Sequence, residues 1–433
     1  MKFEIPESNV PRIVIIGGGF GGVALAKTLK NTTYQVVILD KNNYHTFQPL
    51  LYQVATGGLE PDSIAFPIRK IFAGYHNVLF RMAEVESINS TAKEINTNRG
   101  SLSYDYLVIA SGSKTNFFGN ENIQQFSSPM KTVPQALDLR SLMLQNFESA
   151  LEHKKIKEQD ALMNIVVVGG GPTGVETAGA LGELKKYVLP ADYPELDLRR
   201  MKVHLIEGSS RLLNGMSDKS GNKALQFINK LDVTVWLNTV VKDFDGEKLE
   251  LSNGKNLFSN TVIWAAGVQG NVVEDKMNLF VINRSRYEVD EFNELKSCSD
   301  HYALGDVAMM QSESYPMGHP MVAQVAIQQG QNIGKNFLRK IEKEPIKSFK
   351  YKDKGSMATI GKNKAVVDLN GFKFQGIGAW FVWMLVHLIS LAGFRNKLVV
   401  FVNWFWNYFS YDRGTRLIIR PYKRTTQNKK AVL

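Results

Sequence analysis

The sequence predicts an α/β fold: two copies of one strand–turn–helix unit, followed by an amphipathic helical segment at the C-terminus. Three observations carry this. A glycine-rich pattern repeats, each copy is followed by a second apolar strand ending in an acid, and four of the six tryptophans fall between residues 380 and 406. A length of 433 residues, 44% of them hydrophobic and 21% charged, suffices for two or three packed domains and lies outside the regime of disordered chains. The single cysteine, Cys298, excludes an internal disulfide framework, a CxxC redox pair and a multi-thiolate metal site, and fits a reducing compartment. The ten residues before the first apolar run leave no space for a secretory signal, so export by that route is not expected. A net charge of +11 invites an anionic partner, whose nature depends on where the charge sits.

The first copy reads RIVIIGGGFGGVALAKTL from Arg12 to Leu29, and the second NIVVVGGGPTGVETAGAL from Asn164 to Leu181. Both set GxGxxG between an apolar strand and a helix: Gly17, Gly19 and Gly22, then Gly169, Gly171 and Gly174. The first glycine permits the tight turn, the second lets a pyrophosphate approach the backbone, and the third lets helix and strand pack closely. Free N–H groups at the helix N-terminus then favour the phosphate charge. The second strands, VVILD ending at Asp40 and VHLIE ending at Glu207, put a carboxylate where the hydroxyls of an adenosine ribose sit. The same charge repels a 2'-phosphate, so NADH is expected over NADPH. Each copy closes on an apolar strand with a small-residue turn, YDYLVIASGS from Tyr104 and TVIWAAGV from Thr261. Gly17 and Gly112 are 95 residues apart, and Gly169 and Gly267 are 98 apart. Such matched spacing points to two Rossmann-like dinucleotide-binding domains. A further strand end, HYALGDVA, sets Asp306 where a carboxylate can hydrogen-bond a polyol or phosphate chain.

On these features the chain resembles the two-dinucleotide-binding-domain flavoproteins of glutathione-reductase-like fold. The resemblance implies FAD on the first unit, NAD(P)H on the second, inserted unit, and the GD motif against the FAD ribityl and pyrophosphate. Residues 1–115 and 269–345 are then the two parts of an FAD domain, 116–268 an NADH domain, and 346–433 a membrane-associating C-terminal region. Disulfide reductases and sulfide:quinone reductases of this fold use cysteines that this chain lacks, so direct transfer from flavin to acceptor is expected. NYHTFQPLLYQVATGGL from Asn43, GGGPTGVETAGAL from Gly169, HPMVAQVAIQQG from His319 and YKDKGSMATIGKNKAVVDL from Tyr351 are similar to segments of the type II NADH dehydrogenases. These are the single-subunit NADH:quinone oxidoreductases, and the similarity runs in order over nearly the whole chain.

Glu176, two residues past the last glycine of the second fingerprint, is expected in the first turn of its helix. An acid there is favoured by the helix N-terminus alone; the resemblance instead gives it a part in NADH handling and communication with the quinone. Gln324 and Gln328 fall at i and i+4 on the helix after the GD motif, with Pro320 expected in its first turn. Glutamines on a helix are often solvated surface, whereas the resemblance puts this AQxAxQ pattern at the quinone, with Ala323 and Gln324 also meeting the isoalloxazine. Phe47, Gln48 and Pro49 are expected, again by resemblance, to loop over the flavin edge; His45 beside them reads either as a proton relay or as a packed ring. The resemblance assigns FAD contacts to Gly17, Gly19, Phe20, Gly21, Gly22, Asp40, Lys41, Ala110, Ser111, Gly112, Asp306, Ala323 and Gln324. It assigns NADH contacts to Gly169, Gly171, Gly174, Glu207, Ala266 and Gly267. No spacing of His or carboxylates suits a metal.

From Gly376 to Phe394 the chain carries no formal charge, and after RNK it continues as LVVFVNWFWNYFSY. A span needs about 20 predominantly apolar residues; the glycines, His387 and Ser390 weaken the first run and the second is shorter. Trp380, Trp383, Trp404, Trp406, Tyr408 and Tyr411 suit the headgroup boundary instead. Arg413, Arg416, Arg420, Lys423, Arg424, Lys429 and Lys430 follow with no further acid, which favours anionic lipid. The expected protein is a peripheral, monotopic enzyme on the cytoplasmic face of the inner membrane. It would be a non-proton-pumping NADH:quinone oxidoreductase that passes a hydride from NADH to FAD and two electrons on to a membrane quinone. A homodimer is open and nucleic acid is not an expected partner. A soluble NADH:electron-carrier protein reductase and a non-catalytic redox sensor are the alternatives.

Overall fold

The computed structural model describes residues 3–369, 371–410 and 414–423. The chain divides into two compact units. One takes the residues up to Thr46, Ala65–Lys114 and Val268–Asp353; the other takes Phe47–Ile64, Thr115–Gly267 and the residues from Lys354 onward. Residues 47–64, which the linear division puts in the first domain, belong with the second unit, as does the C-terminal segment.

In the first unit a parallel core sheet runs Cys298–Ala303, Tyr106–Ile109, Arg12–Ile16, Gln35–Asp40, Val78–Met82. Ile13, Val14 and Ile15 are wholly buried, because a parallel sheet covered on both faces takes continuous apolar runs rather than alternating ones. The fingerprint helix Phe20–Thr28 packs on the helix Ala323–Glu342, where Gly330 permits an approach that a Cβ would block against the Gly21 carbonyl. The latter helix begins at Ala323 with Val322 as an extended N-cap, so Pro320 precedes it and does not occupy its first turn.

The second unit repeats the plan: the strands Ser128–Pro129, Thr261–Trp264, Ile165–Val168, Val203–Ile206 and Val233–Trp236 lie parallel in that order. Its fingerprint helix starts at Pro172, directly after Gly171, so Glu176 falls beyond the first turn in which it was expected. An antiparallel sheet of Ser356–Thr359, Ala365–Leu369 and Phe372–Gln375 leads into two helices, Ile377–Ser390 and Phe394–Ser410. Gly376 and Gly393, at φ 86° and 80°, set the breaks before them. Because the second break precedes Arg395, the RNK triplet is part of the last helix rather than a linker. No helix among the described residues is long and apolar enough to cross a membrane.

The last helix is amphipathic with its polar stripe inward. Asn396 donates to the carbonyls of Asp62 and Ser63 at 2.9 and 3.1 Å, Asn403 to Glu60 Oε2 at 2.7 Å, and Trp404 Nε1 to Gln53 Oε1 at 2.8 Å. These bonds tie residues 47–64 to this unit. Phe401, Phe405 and Phe409 face outward, 49%, 58% and 70% exposed, and Phe381, Leu385 and Ile389 of the preceding helix are exposed as well. Of the expected basic tail, Arg416 pairs with Asp192 at 2.6 Å and Arg420 with Asp138 at 2.7 Å. Tyr411, Arg413, Arg424, Lys429 and Lys430 lie outside the described residues.

Candidate functional site

In the first unit the parallel register gathers the expected cofactor residues at the C-terminal ends of adjacent strands. Ile16 pairs with both Leu39 and Ile109, and Ala303 with Ile109. Gly17, Asp40, Ala110 and the Gly305–Asp306 turn therefore follow neighbouring strand ends. Gly17 turns at φ 112°, and a Cβ on it would strike the Ala110 carbonyl. At Gly19, the N-cap of the helix, a Cβ would meet nothing within 4 Å, so the space beside the free N–H groups of the first turn is open. Phe20, Gly21 and Gly22 lie in that first turn, and Lys41 stands exposed just past Asp40. Asp40 Oδ2 accepts the Gly18 N–H at 2.7 Å and Oδ1 the Asn42 N–H at 2.7 Å. Burial nevertheless pushes its carboxyl above the usual range. Ser111 Oγ donates to the Asn271 carbonyl at 2.7 Å, the Asn271 N–H to the Gly112 carbonyl at 2.9 Å, and Ser113 Oγ to Asp306 Oδ2 at 2.5 Å.

His45 resolves as a packed ring. Its Nδ1 lies 3.0 Å from the Gly18 carbonyl, which can only accept, and its ring meets Phe20 edge-on at 5.0 Å. Burial lowers its pKa, holding it neutral. Ala323 and Gln324 open the helix after the GD turn. Gln328, expected to offer its amide to a quinone, spends both ends on one residue: Nε2 donates to the Lys352 carbonyl at 2.9 Å and Oε1 accepts the Lys352 N–H at 3.0 Å. The glutamine that reaches the GD turn is Gln329, whose Oε1 accepts the Gly305 N–H at 2.7 Å. Sequence reading passed over it because it sits one residue off the i, i+4 face.

The second unit repeats the geometry of the first at its loop. Gly169 also turns at φ 112°, Gly171 again faces open space, and Gly174 packs beneath the turn. Val168 pairs with Ile206 and Trp264, which aligns Gly169, Glu207 and the Ala266–Gly267 turn. Glu207 Oε2 accepts the Gly170 N–H at 2.5 Å and Oε1 the Ser209 N–H at 2.7 Å, matching Asp40. A loop with a bare N-cap, an open cradle and a ribose-side acid fits a dinucleotide pyrophosphate, and the chain has two. NADH is therefore expected to exceed NADPH in kcat/KM by about tenfold or more, since a 2'-phosphate would meet the Glu207 charge. Glu207→Gln should narrow the ratio, and equal efficiency of the two reductants in the parent enzyme would remove Glu207 from this role.

Glu176 turns away from this loop. Its Oε1 accepts the Thr359 N–H and Trp383 Nε1–H, each at 3.2 Å, and burial raises its pKa to about 8. The carboxyl therefore carries its proton at neutral pH. It lines a cavity of about 120 Å³ with Glu183, Lys362, Trp380, Trp383 and Trp404. Glu183, two helical turns from Glu176, accepts the Lys362 N–H at 2.5 Å, and Lys362 Nζ lies 4.1 Å over the Tyr408 ring and donates to the Tyr408 carbonyl. Trp383 stacks on His387 at 4.2 Å; burial lowers the His387 pKa to about 4, so this wall is uncharged. Phe47 is buried in the same unit with its ring edge-on to His387 at 5.9 Å.

Two dinucleotide cradles with paired acids, a GD turn and a protonated carboxyl in an aromatic cavity define a pyridine-nucleotide-dependent flavoprotein oxidoreductase. The family described as pyridine nucleotide-disulphide oxidoreductase matches residues 11–330, and the NDH2 C-terminal domain matches residues 354–410. The type II NADH:quinone oxidoreductase Ndh of Mycobacterium tuberculosis is 32% identical, with 94% of this chain and 91% of that one covered. NdhA of the same organism is 33% identical, with 94% and 89% covered. Among solved structures, NDH2 from Plasmodium falciparum in complex with NADH matches with a TM-score of 0.87 at 23% identity, over 95% of this chain and 100% of that one. The chain belongs to the type II NADH:quinone oxidoreductases, FAD-dependent enzymes that oxidise NADH and reduce a quinone.

Proposed function

We propose that the chain is a non-proton-pumping NADH:quinone oxidoreductase working at a bilayer surface, with FAD held by the first glycine loop, NADH by the second, and the quinone head group taken up beside Glu176. When bound, FAD accepts the hydride of NADH and returns two electrons to the quinone. The observation that carries the quinone assignment is the Glu176 carboxyl: neutral at pH 7, held by Thr359 and Trp383, and set in an aromatic wall. Its Oε1 takes both donors, and Oε2 meets none among the described residues, which leaves a proton to offer to a quinone oxygen.

The outward aromatic stripe of the last two helices supports a lipid-facing surface, and a quinone dissolved in lipid would approach from there. Docking through these helices on the cytoplasmic face of the inner membrane is part of this reading. The test follows absorbance of the FAD-loaded protein without oxygen. NADH is expected to bleach the flavin rapidly, and a short-chain quinone to restore it as rapidly. Bleaching without recovery would turn the assignment toward a protein acceptor.

A further inference from the structure

In the second unit one exposed aromatic ring is at odds with its backbone. Phe118 sits at φ 53°, a left-handed conformation rare for a bulky side chain, and is 69% exposed. The ring buries little, so packing does not account for the strained backbone. Three hydrogen bonds hold the loop in place. Asn116 Oδ1 accepts the Phe118 N–H at 2.8 Å, the Asn116 carbonyl accepts Trp264 Nε1–H at 2.8 Å, and the Asn116 N–H donates to the Gly267 carbonyl at 3.3 Å. The ring is thereby set against Gly267, where an added Cβ would lie 2.9 Å from its Cζ.

The sheet order indicates what the ring meets. The strand Ile165–Val168 has Val203–Ile206 on one side and Thr261–Trp264 on the other. A dinucleotide over the glycine loop lies across these strand ends, with its pyrophosphate at Gly171 and its adenosine ribose at Glu207. Its other half then falls over the Ala265–Gly267 turn, beside Phe118. We propose that Phe118 is a binding residue for the nicotinamide half of NADH, its ring forming one wall of that subsite while Gly267 keeps the adjoining backbone bare. This rests on the second glycine loop being the NADH site.

The test uses the FAD-loaded full chain and reads steady-state kinetics and anaerobic flavin reduction. Phe118→Asn removes the ring while keeping a residue that tolerates the left-handed backbone; Phe118→Tyr keeps the ring. Phe118→Asn is expected to raise KM for NADH about tenfold, the size of one lost ring contact. The quinone KM and flavin content should stay at parent values and the melting temperature should not fall, since asparagine eases the left-handed backbone, and Phe118→Tyr should match the parent. An unchanged KM in Phe118→Asn, or equal impairment in Phe118→Tyr, overturns the proposal. Gly171→Val separates the two levels: it should abolish flavin reduction by NADH with FAD retained. If it reduces normally, the NADH assignment of the loop is wrong; if it fails as expected while Phe118→Asn behaves as parent, only the role of Phe118 falls.

Discussion

Replacing Glu176 by glutamine is expected to slow reoxidation of the flavin by quinone about a hundredfold, the lower range for loss of a positioned general acid, while NADH still reduces the flavin at nearly the parent rate. Gln is isosteric, and its carbonyl can still accept the Thr359 N–H and Trp383 Nε1–H that now meet Oε1. The change therefore removes a transferable proton and little else. The pH profile tests this more sharply than the rate. With a pKa of about 8, raised by burial against the partial opposition of two donors, Glu176 is protonated through neutrality and loses its proton above it. Quinone reduction by the parent should fall as pH rises through about 8, and Glu176→Gln should lack that limb. Stability gives a second readout. A carboxyl whose folded pKa lies above its unfolded value holds an extra proton in the native state between the two, so its favourable contribution is complete below the unfolded pKa and is lost as pH rises through the folded one. The melting temperature of Glu176→Gln should accordingly gain on the parent as pH rises from about 4 to about 8, the span between the unfolded and folded pKa values. An alkaline limb that persists in Glu176→Gln would assign it to another group.

The partners of Glu176 show where reading from sequence stops. The glycine spacing, Asp40 and Glu207 are legible because their geometry is local: a strand end, a turn and the next strand end fix them. The paired bonds from Asp40 to Gly18 and from Glu207 to Gly170 follow from the same repeat. Trp383 is 207 residues from Glu176, and no periodicity announces that a tryptophan in an apolar helix will donate to a carboxyl in a fingerprint helix. The aromatic C-terminal stretch and the GKNK loop stand out in the sequence, but their inward ends, Trp383 and Lys362, do not. Gln328 illustrates the converse. Its place on a helical face was readable, yet an amide binds whatever backbone passes nearest, and here that is Lys352. Residues 47–64 escape a linear division for the same reason, since their allegiance is set by Asn396, Asn403 and Trp404, more than 300 positions later.

Phe405→Glu combined with Phe409→Glu is expected to lower partitioning onto lipid vesicles by at least a hundredfold. Each phenylalanine contributes roughly 1.5–3 kcal/mol when moved from water into an apolar phase, so losing two costs about 3–6 kcal/mol, or two to four orders of magnitude. Both rings stand outward, 58% and 70% exposed, whereas Trp404, Asn407 and Tyr408 of the same helix line the Glu176 cavity. Turnover with a water-soluble quinone should therefore survive in the double variant, which separates docking from chemistry. The helix geometry favours lying in the interface: 17 residues at about 1.5 Å each reach about 25 Å, short of a hydrocarbon core of about 30 Å, and one face carries Asn396, Asn403 and Asn407. Salt then discriminates the driving force. Arg416 and Arg420 are already paired with Asp192 and Asp138, so they have less charge to offer anionic lipid than the bare run of bases implies. Binding of the parent to uncharged vesicles should be strong and nearly independent of salt. If it instead requires anionic lipid and collapses at about 1 M salt, where the screening length is about 3 Å, the basic residues hold the protein to the bilayer and the aromatic face does not.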